Sequence, residues 1–202
     1  MDSSDFFGFL NSRASVREYD DDPVTDAEID YYYHGGVRRF FPDAYDEFVG
    51  SLPDPSKRPL PDYMVDLIQH GDSAAQWKYC KAWTRYEVKI GALLPSTGYL
   101  LGLEDPTPET KEGVYTLGLF ENYYMANRCF LEEGELLANA GRLRGIPGVL
   151  VHGRLDLAAP PDVPWLLARA WPDSELHLVR SGHMGNEDME RIQLDALARY
   201  AR

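Results

Sequence analysis

The stretch Ile146-Pro-Gly-Val-Leu-Val-His-Gly-Arg-Leu-Asp156 decides the fold of this chain. Its apolar part, Gly148–His152, has the length and composition of a buried strand, and a second such strand follows at Glu175–Val179. A helical pattern at 162–170 separates the two strands. Short apolar strands joined through a helix predict a right-handed crossover and a parallel sheet. We therefore expect a small parallel β-element with flanking helices over residues 144–202, the last helix at about 187–200.

Before this region, apolar residues recur every three or four positions, as in helices, and proline- and glycine-rich loops separate the helical stretches. A capping box at Thr25–Glu28 predicts a helix that continues to Tyr33. Further helices are expected at 42–49, 63–69, 73–90, 108–128 and 132–143. The sequence thus predicts an α/β protein with three parts, namely an N-terminal segment of uncertain role at 1–27, a helical region at 28–143 and the α/β portion at 144–202.

Two residues with catalytic potential follow the predicted strands. Asp156 comes after the first strand, and His183 comes after the second, in the sequence Arg180-Ser-Gly-His183. Since groups at the carboxyl ends of adjacent parallel strands meet in one crevice, the pair can act as an orienting acid and a general base. The order Asp then His is also that of an α/β-hydrolase after its nucleophile. The alternative is an ordinary turn aspartate and loop histidine.

Composition excludes several classes of partner. The 202 residues carry a formal charge of −13, with acidic residues in every segment, which argues against binding to nucleic acid or an anionic membrane surface. No apolar run approaches the roughly 20 residues that cross a bilayer, so we expect a cytoplasmic protein. The two cysteines argue against a disulfide framework or a structural zinc site. Metal-ligand spacing is also lacking among His34, His70, His152 and His177, of which the last two lie on or beside strands and are expected to be packed or surface residues. We expect neither a metal nor a cofactor.

Four stretches resemble the proline iminopeptidase (prolyl aminopeptidase) family of α/β-hydrolases. The longest is residues 146–187, which are similar to the family's last catalytic stretch. The other three resemble its helical cap domain in the same order, and they are GGVRRFFPDAYDEF at 35–48, CKAWTRYE at 80–87 and FENYYMANRCFL at 120–131. The resemblance covers about residues 28–202. It implies a truncated α/β-hydrolase that consists of a cap-like region and the C-terminal part of the sheet.

The resemblance assigns roles to four residues. Asp156 and His183 match the family's triad acid and base, and Glu87 and Glu121 match the cap glutamates that hold the free amino terminus of the substrate. The family's G-x-S-x-G nucleophile elbow, which precedes the cap, does not occur in these 202 residues. The nearest string surrounds Ser73, where Asp72 or Ser73 is better explained as the N-cap of a long helix.

Three hypotheses for function follow. In the first, the chain is part of an aminopeptidase whose serine is supplied by a second chain. In the second, it is a non-hydrolytic enzyme, such as a cyclase or isomerase, that uses the same four residues in acid–base chemistry on a small amine-containing molecule. In the third, it is a non-catalytic binding or interaction protein. Because two parallel strands leave edges and faces uncovered, we also expect a homo-oligomer or a second chain that completes the sheet.

Overall fold

The structure is a computed structural model that describes residues 31, 33, 36–57, 59–92, 100, 102–132 and 134–200. These residues form two compact units, a helical unit that ends at Phe130 and an α/β unit that begins at Leu131. The predicted capping box at Thr25–Glu28 and the N-terminal segment 1–27 lie outside the described residues.

Four helices make up most of the helical unit, and each one agrees with the helical pattern in the sequence. They are α1 (Pro42–Gly50), α2 (Leu60–Gln69), α3 (Ser73–Gly91) and α4 (Pro108–Ala126). Asp72 caps α3, because its carboxylate accepts hydrogen bonds from the backbone N–H groups of Ala74 at 3.1 Å and Ala75 at 2.8 Å. The predicted N-cap is therefore confirmed at Asp72, and Ser73 is the first residue of the helix.

The core of the helical unit is rich in aromatic rings. Tyr33 stacks on Trp83 with ring centroids 5.3 Å apart, and Phe48 stacks on Tyr86 at 5.1 Å. Trp83 and Tyr86 lie three residues apart on α3, so both rings project from the face that packs against the other helices. All four rings are buried. Burial of such large side chains makes this cluster a major source of the unit's stability.

Helices α3 and α4 approach each other closely at one glycine. A Cβ atom at Gly118 of α4 would lie only 3.0 Å from the Sγ atom and 3.1 Å from the Cβ atom of Cys80 on α3. The absence of a side chain at Gly118 therefore sets the distance between the two helices. The two helices joined by this contact carry Glu87 (α3) and Glu121 (α4).

The α/β unit contains the predicted parallel sheet. Strand β1 (Gly148–Gly153) pairs in parallel with β2 (Ser174–Val179), in a register that joins Gly148 to Ser174 and Gly153 to Val179. Helix α6 (Asp162–Ala170) provides the crossover between the strands. The prediction that residues 148–152 and 175–179 are neighbouring parallel strands is therefore confirmed.

Helices flank the small sheet. Helix α6 contacts both strands, and α7 (Glu187–Tyr200) contacts β1. A short helix, α5 (Glu135–Ala140), packs against α6 and is followed by a 3-10 turn at Gly141–Leu143. The structure thus groups these residues with the sheet, whereas the sequence pattern placed residues up to 143 in the helical region. The physical reason is the packing of α5 on α6, which helical periodicity does not reveal.

None of the described helices combines the length and the apolar character required to cross a membrane.

Candidate functional site

Asp156 is held by its own loop immediately after β1. Its Oδ1 atom accepts hydrogen bonds from the backbone N–H groups of Ala158 at 3.1 Å and Ala159 at 2.8 Å. The side chain is only 2% exposed, and such backbone bonds compensate for the cost of removing a carboxylate from water. The loop therefore fixes one oxygen of Asp156 and leaves Oδ2 to face another partner.

That partner is His183, which follows β2. Its Nδ1 atom lies 2.9 Å from Oδ2 of Asp156, and its side chain is 53% exposed. A buried carboxylate at this position holds the imidazole ring and directs its other nitrogen, Nε2, away from the acid. The expected acid–base pair is thus brought together, in the arrangement in which a histidine acts as a general base.

The two loops that carry these residues touch through their backbones. The N–H of Arg154 donates to the carbonyl of Val179 at 2.7 Å, and the N–H of Leu155 donates to the carbonyl of Ser181 at 3.0 Å. A Cβ atom at Gly153 would lie 2.4 Å from the carbonyl oxygen of Gly182. A glycine is needed there because the chain just before His183 passes directly over β1's last residue.

His152 is a neighbour of Asp156 that the sequence reasoning treated as a packed or surface residue. Its Nε2 atom lies 2.8 Å from the carbonyl oxygen of Ala159 and 3.4 Å from Oδ2 of Asp156. The ring is packed, as expected, and it also braces the loop that orients the carboxylate. Its position at the end of β1, four residues before Asp156, is the only sign of this role in the sequence.

In the helical unit, Glu121 receives a direct hydrogen bond from Trp83. The indole Nε1–H of Trp83 on α3 donates to Oε2 of Glu121 on α4 at 2.8 Å. Since the acceptor is a carboxylate, this is a charge-assisted bond of the stronger kind. Trp83 is thus both a buried core residue and a hydrogen-bond donor to Glu121, and the second role has no signal in the sequence.

Glu87 and Glu121 both act on the buried hydroxyl of Tyr33. Burial and then the negative charges of these two carboxylates raise the pKa of Tyr33 well above its ordinary value of 10.0. The hydroxyl lies 3.3 Å from Oδ1 of Asn122, whose Nδ2 donates to the carbonyl of Gly118 at 2.8 Å. The neighbouring helices α3 and α4 thus bring the two glutamates to a common region around a neutral tyrosine.

The four predicted site residues therefore form two pairs. Asp156 and His183 are in direct contact within the α/β unit, and Glu87 and Glu121 lie on neighbouring helices of the helical unit, where both raise the pKa of Tyr33. Within the part of the chain that the structure describes, no group of three His, Cys, Asp or Glu side chains has the arrangement of a metal site.

Comparison with known proteins finds similarity to several proline iminopeptidases. The chain is 31% identical over 173 residues to a proline iminopeptidase of Xanthomonas citri, a match that covers 85% of this chain and 53% of the relative. It is 31% identical over 163 residues to a proline iminopeptidase of Arabidopsis thaliana, a match that covers 79% of this chain and 42% of the relative. It is also 32% identical over 176 residues to a probable proline iminopeptidase of Streptomyces coelicolor, with 83% of this chain and 51% of the relative covered. The chain spans about half the length of the curated relatives it matches. No protein-family model matches it.

Proposed function

The chain belongs to the proline iminopeptidase family of α/β-hydrolases over the half of those relatives that it matches, and we propose that it supplies two functional parts of such a hydrolase. The first part is the acid–base pair Asp156 and His183. The second is a pocket, formed by Glu87 and Glu121, that binds the free amine of a small substrate.

The observation that carries this proposal is the 2.9 Å contact between Nδ1 of His183 and Oδ2 of Asp156. In acyl transfer, Nε2 of such a histidine takes the proton of a nucleophilic hydroxyl and later returns it to the leaving amine. Asp156 holds the ring and stabilises the imidazolium that forms. Its two backbone hydrogen bonds keep the carboxylate in place during both steps.

The cluster around Tyr33 supports an amine pocket. Two carboxylates in one region repel each other, and a bound ammonium group lowers that repulsion. A tyrosine hydroxyl is neutral at neutral pH, and the raised pKa of Tyr33 keeps it from adding a negative charge even in mildly alkaline solution. Trp83 holds Glu121 through the 2.8 Å bond and orients one of the two carboxylates.

The nucleophile of the proposed hydrolase lies on polypeptide outside these 202 residues, since no G-x-S-x-G elbow occurs among them. We propose that the same polypeptide covers the sheet of the α/β unit. Residues Val149–His152 of β1 and the whole of β2 are only half-buried, and the nearby helices expose Trp165, Leu194 and Leu197. The relatives are about twice as long as the matched region, which is enough chain for further strands beside β1 and β2.

Binding of prolinamide to the full 202-residue chain tests the amine pocket. A hydrogen bond to a charged group contributes about 1.5 to 3 kcal/mol, so Glu87→Gln or Glu121→Gln should weaken binding about ten- to hundredfold. N-acetylprolinamide, which has no ammonium group, should show a similar loss with the parent chain. Titration calorimetry measures all of these affinities.

Glu112→Gln is the matched control, because Glu112 is an exposed carboxylate on the same helix as Glu121. It should bind prolinamide as the parent does. If both site variants also bind prolinamide with parental affinity, the amine pocket is refuted, and the two glutamates are ordinary helix residues.

A non-hydrolytic enzyme is the second candidate, and the same absence of a G-x-S-x-G elbow favours it. The two candidates differ in what the 202-residue chain does alone. The hydrolase proposal expects no hydrolysis of proline β-naphthylamide and no stoichiometric labelling of Ser73 by a serine-directed phosphonate. Turnover of an amine-containing compound by the single chain, lost in His183→Ala, would favour the second candidate.

A further inference from the structure

A groove between α1 and α3 carries a local excess of positive charge. The cavity there has a volume of about 190 Å³, and basic side chains dominate its polar lining. They are Lys78, Lys81, Arg85 and Lys89. Among the described residues that line the groove, Glu47 is the one acidic side chain.

The basic residues form a continuous stripe on one face of α3. They follow each other at intervals of three, four and four residues, which is the spacing that places side chains on the same side of a helix. Three of the five lysines in the sequence belong to this stripe, although the chain as a whole has a formal charge of −13. The positive potential of the groove is therefore opposite in sign to that of the protein.

Two carboxylates neutralise only part of this charge. Glu104 pairs with Lys81 at 2.8 Å and with Arg85 at 2.6 Å, and Glu47 pairs with Arg85 at 3.0 Å and also with Lys89. Glu104 is ionised at neutral pH as glutamates ordinarily are, and hydrogen bonds from Lys81 and Arg85 lower its pKa further. Four cations and two anions leave an excess of two positive charges.

Two of the cationic groups retain capacity for another acceptor. No carboxylate of the described residues lies within 4.0 Å of the Lys78 ammonium, which stands 5.0 Å from the ring centre of Tyr79. The Nε–H of Arg85 is buried, and Glu47 lies at ion-pair distance from it in a direction that makes no hydrogen bond. An anionic oxygen in the groove would accept a hydrogen bond from the Lys78 ammonium.

From these observations we propose that the groove between α1 and α3 binds a small anion with at least two negative charges, of the phosphate class. The cavity is smaller than the roughly 300 to 1,000 Å³ of pockets for drug-sized ligands, so it suits a single phosphoryl-type group. Phe48 and Tyr86 also line the groove and stack on each other, so it offers apolar surface beside the basic side chains. The groove would bind an anion, whereas the proposed pocket at Glu87 and Glu121 would bind an ammonium group. The anion site is therefore independent of the proposed hydrolase activity.

Binding of inorganic phosphate to the full chain, measured by calorimetry at constant ionic strength, tests the proposal. Chloride at equal ionic strength serves as the monovalent comparison. Two unit charges 4 Å apart in water interact by about 1 kcal/mol, so Lys78→Gln and Lys89→Gln should each weaken phosphate binding about fivefold. Lys78→Arg, which keeps the charge, should bind phosphate as the parent does.

Lys111→Gln is the matched control, because Lys111 lies on α4 and does not line the groove. It should leave phosphate affinity unchanged. Amide chemical-shift changes in the parent chain should be concentrated in α1 and α3, which locates the site without any variant. The proposal is overturned if phosphate binds no better than chloride, if the shifts fall elsewhere, or if Lys111→Gln weakens binding as much as Lys78→Gln does.

Discussion

Asp156 contacts His183 with one carboxylate oxygen and its own loop with the other. Oδ2 lies 2.9 Å from Nδ1 of His183, while Oδ1 accepts the N–H groups of Ala158 and Ala159. The loop bonds to Oδ1 support the carboxylate independently of its contact with the histidine. This division of roles between the two oxygens allows the pair to be tested without a substrate.

The first prediction is that Asp156→Asn changes the tautomer of His183. The asparagine Oδ1 can still accept from Ala158 and Ala159, so its Nδ2 then faces Nδ1 of the histidine. An amide donor there forces Nδ1 to become an acceptor, which moves the proton to Nε2. Nitrogen-15 shifts of the His183 ring should report Nδ1–H in the parent at high pH and Nε2–H in the variant. The same tautomer in both chains would contradict the proposed contact.

The second prediction concerns Gly153, where β1 meets the chain before His183. Its Cβ in Gly153→Ala would lie 2.4 Å from the carbonyl oxygen of Gly182, which is backbone and must shift. Such overpacking costs about 1 to 3 kcal/mol of unfolding free energy. Gly141→Ala is the control, because a Cβ there meets nothing within 4 Å. Urea unfolding should separate the two variants, and equal stabilities would refute the close approach.

The third prediction is that Trp83→Phe weakens prolinamide binding about tenfold. The phenyl ring fills most of the indole site but lacks the N–H that donates to Glu121 at 2.8 Å, and a bond to a charged group contributes about 1.5 to 3 kcal/mol. Binding of N-acetylprolinamide should not change, which distinguishes loss of orientation from general damage to the pocket. Trp77→Phe on the same helix should leave both affinities unchanged. If the affinities for prolinamide and N-acetylprolinamide fall by the same factor, Trp83 contributes through packing alone and does not orient Glu121.

The fourth prediction is that the chain loses stability at alkaline pH. Burial raises the pKa of Cys80 from 9.0 to about 12, and burial with nearby carboxylates raises that of Tyr33. The folded chain therefore keeps protons that the unfolded chain releases, so the free energy of unfolding falls as pH rises above about 9. Each group contributes a slope of at most about 1.4 kcal/mol per pH unit.

Replacement of one titrating group isolates its share of this slope. Tyr33→Phe should flatten the decline above about pH 10, the ordinary pKa of tyrosine, whereas Tyr123→Phe at an exposed position should not. Urea unfolding across the alkaline range gives the slopes. If the Tyr33→Phe slope equals that of the parent, the hydroxyl does not titrate differently in the two states.

Much of the local structure could be predicted from the sequence because its causes are local. The helix at Asp162–Ala170 and the helix at Glu187–Tyr200 begin and end as their periodicity indicates, and Asp72 caps α3 as its residue type favours. The strand at Gly148–Gly153 ends near Asp156, so the position of the acid followed from the same pattern. These features depend on residues close together in the chain.

Other features depended on contacts between distant residues. Trp83 and Glu121 are 38 residues apart, and Tyr33 and Asn122 are 89 residues apart. Helical periodicity could place Trp83 on a buried face, but it could not identify the carboxylate that its N–H reaches. The groove between α1 and α3 was likewise missed, because Glu47 and Lys89 belong to helices whose packing the sequence pattern does not fix.

By itself, then, the sequence determined where the chain forms helices and strands, that the two strands are parallel, and which four residues resemble those of a hydrolase site. Hydrophobic period, caps and crossover handedness are sufficient for the helices and the parallel strands. The four site residues came from the resemblance to a known family. Only the tertiary structure decided that Asp156 meets His183 at 2.9 Å, that Glu87 and Glu121 act on one tyrosine, and that four basic side chains share a cavity. The physical reason is that distances and pKa values arise from side chains that folding brings together, and burial gives their charges an effect that they lack in water.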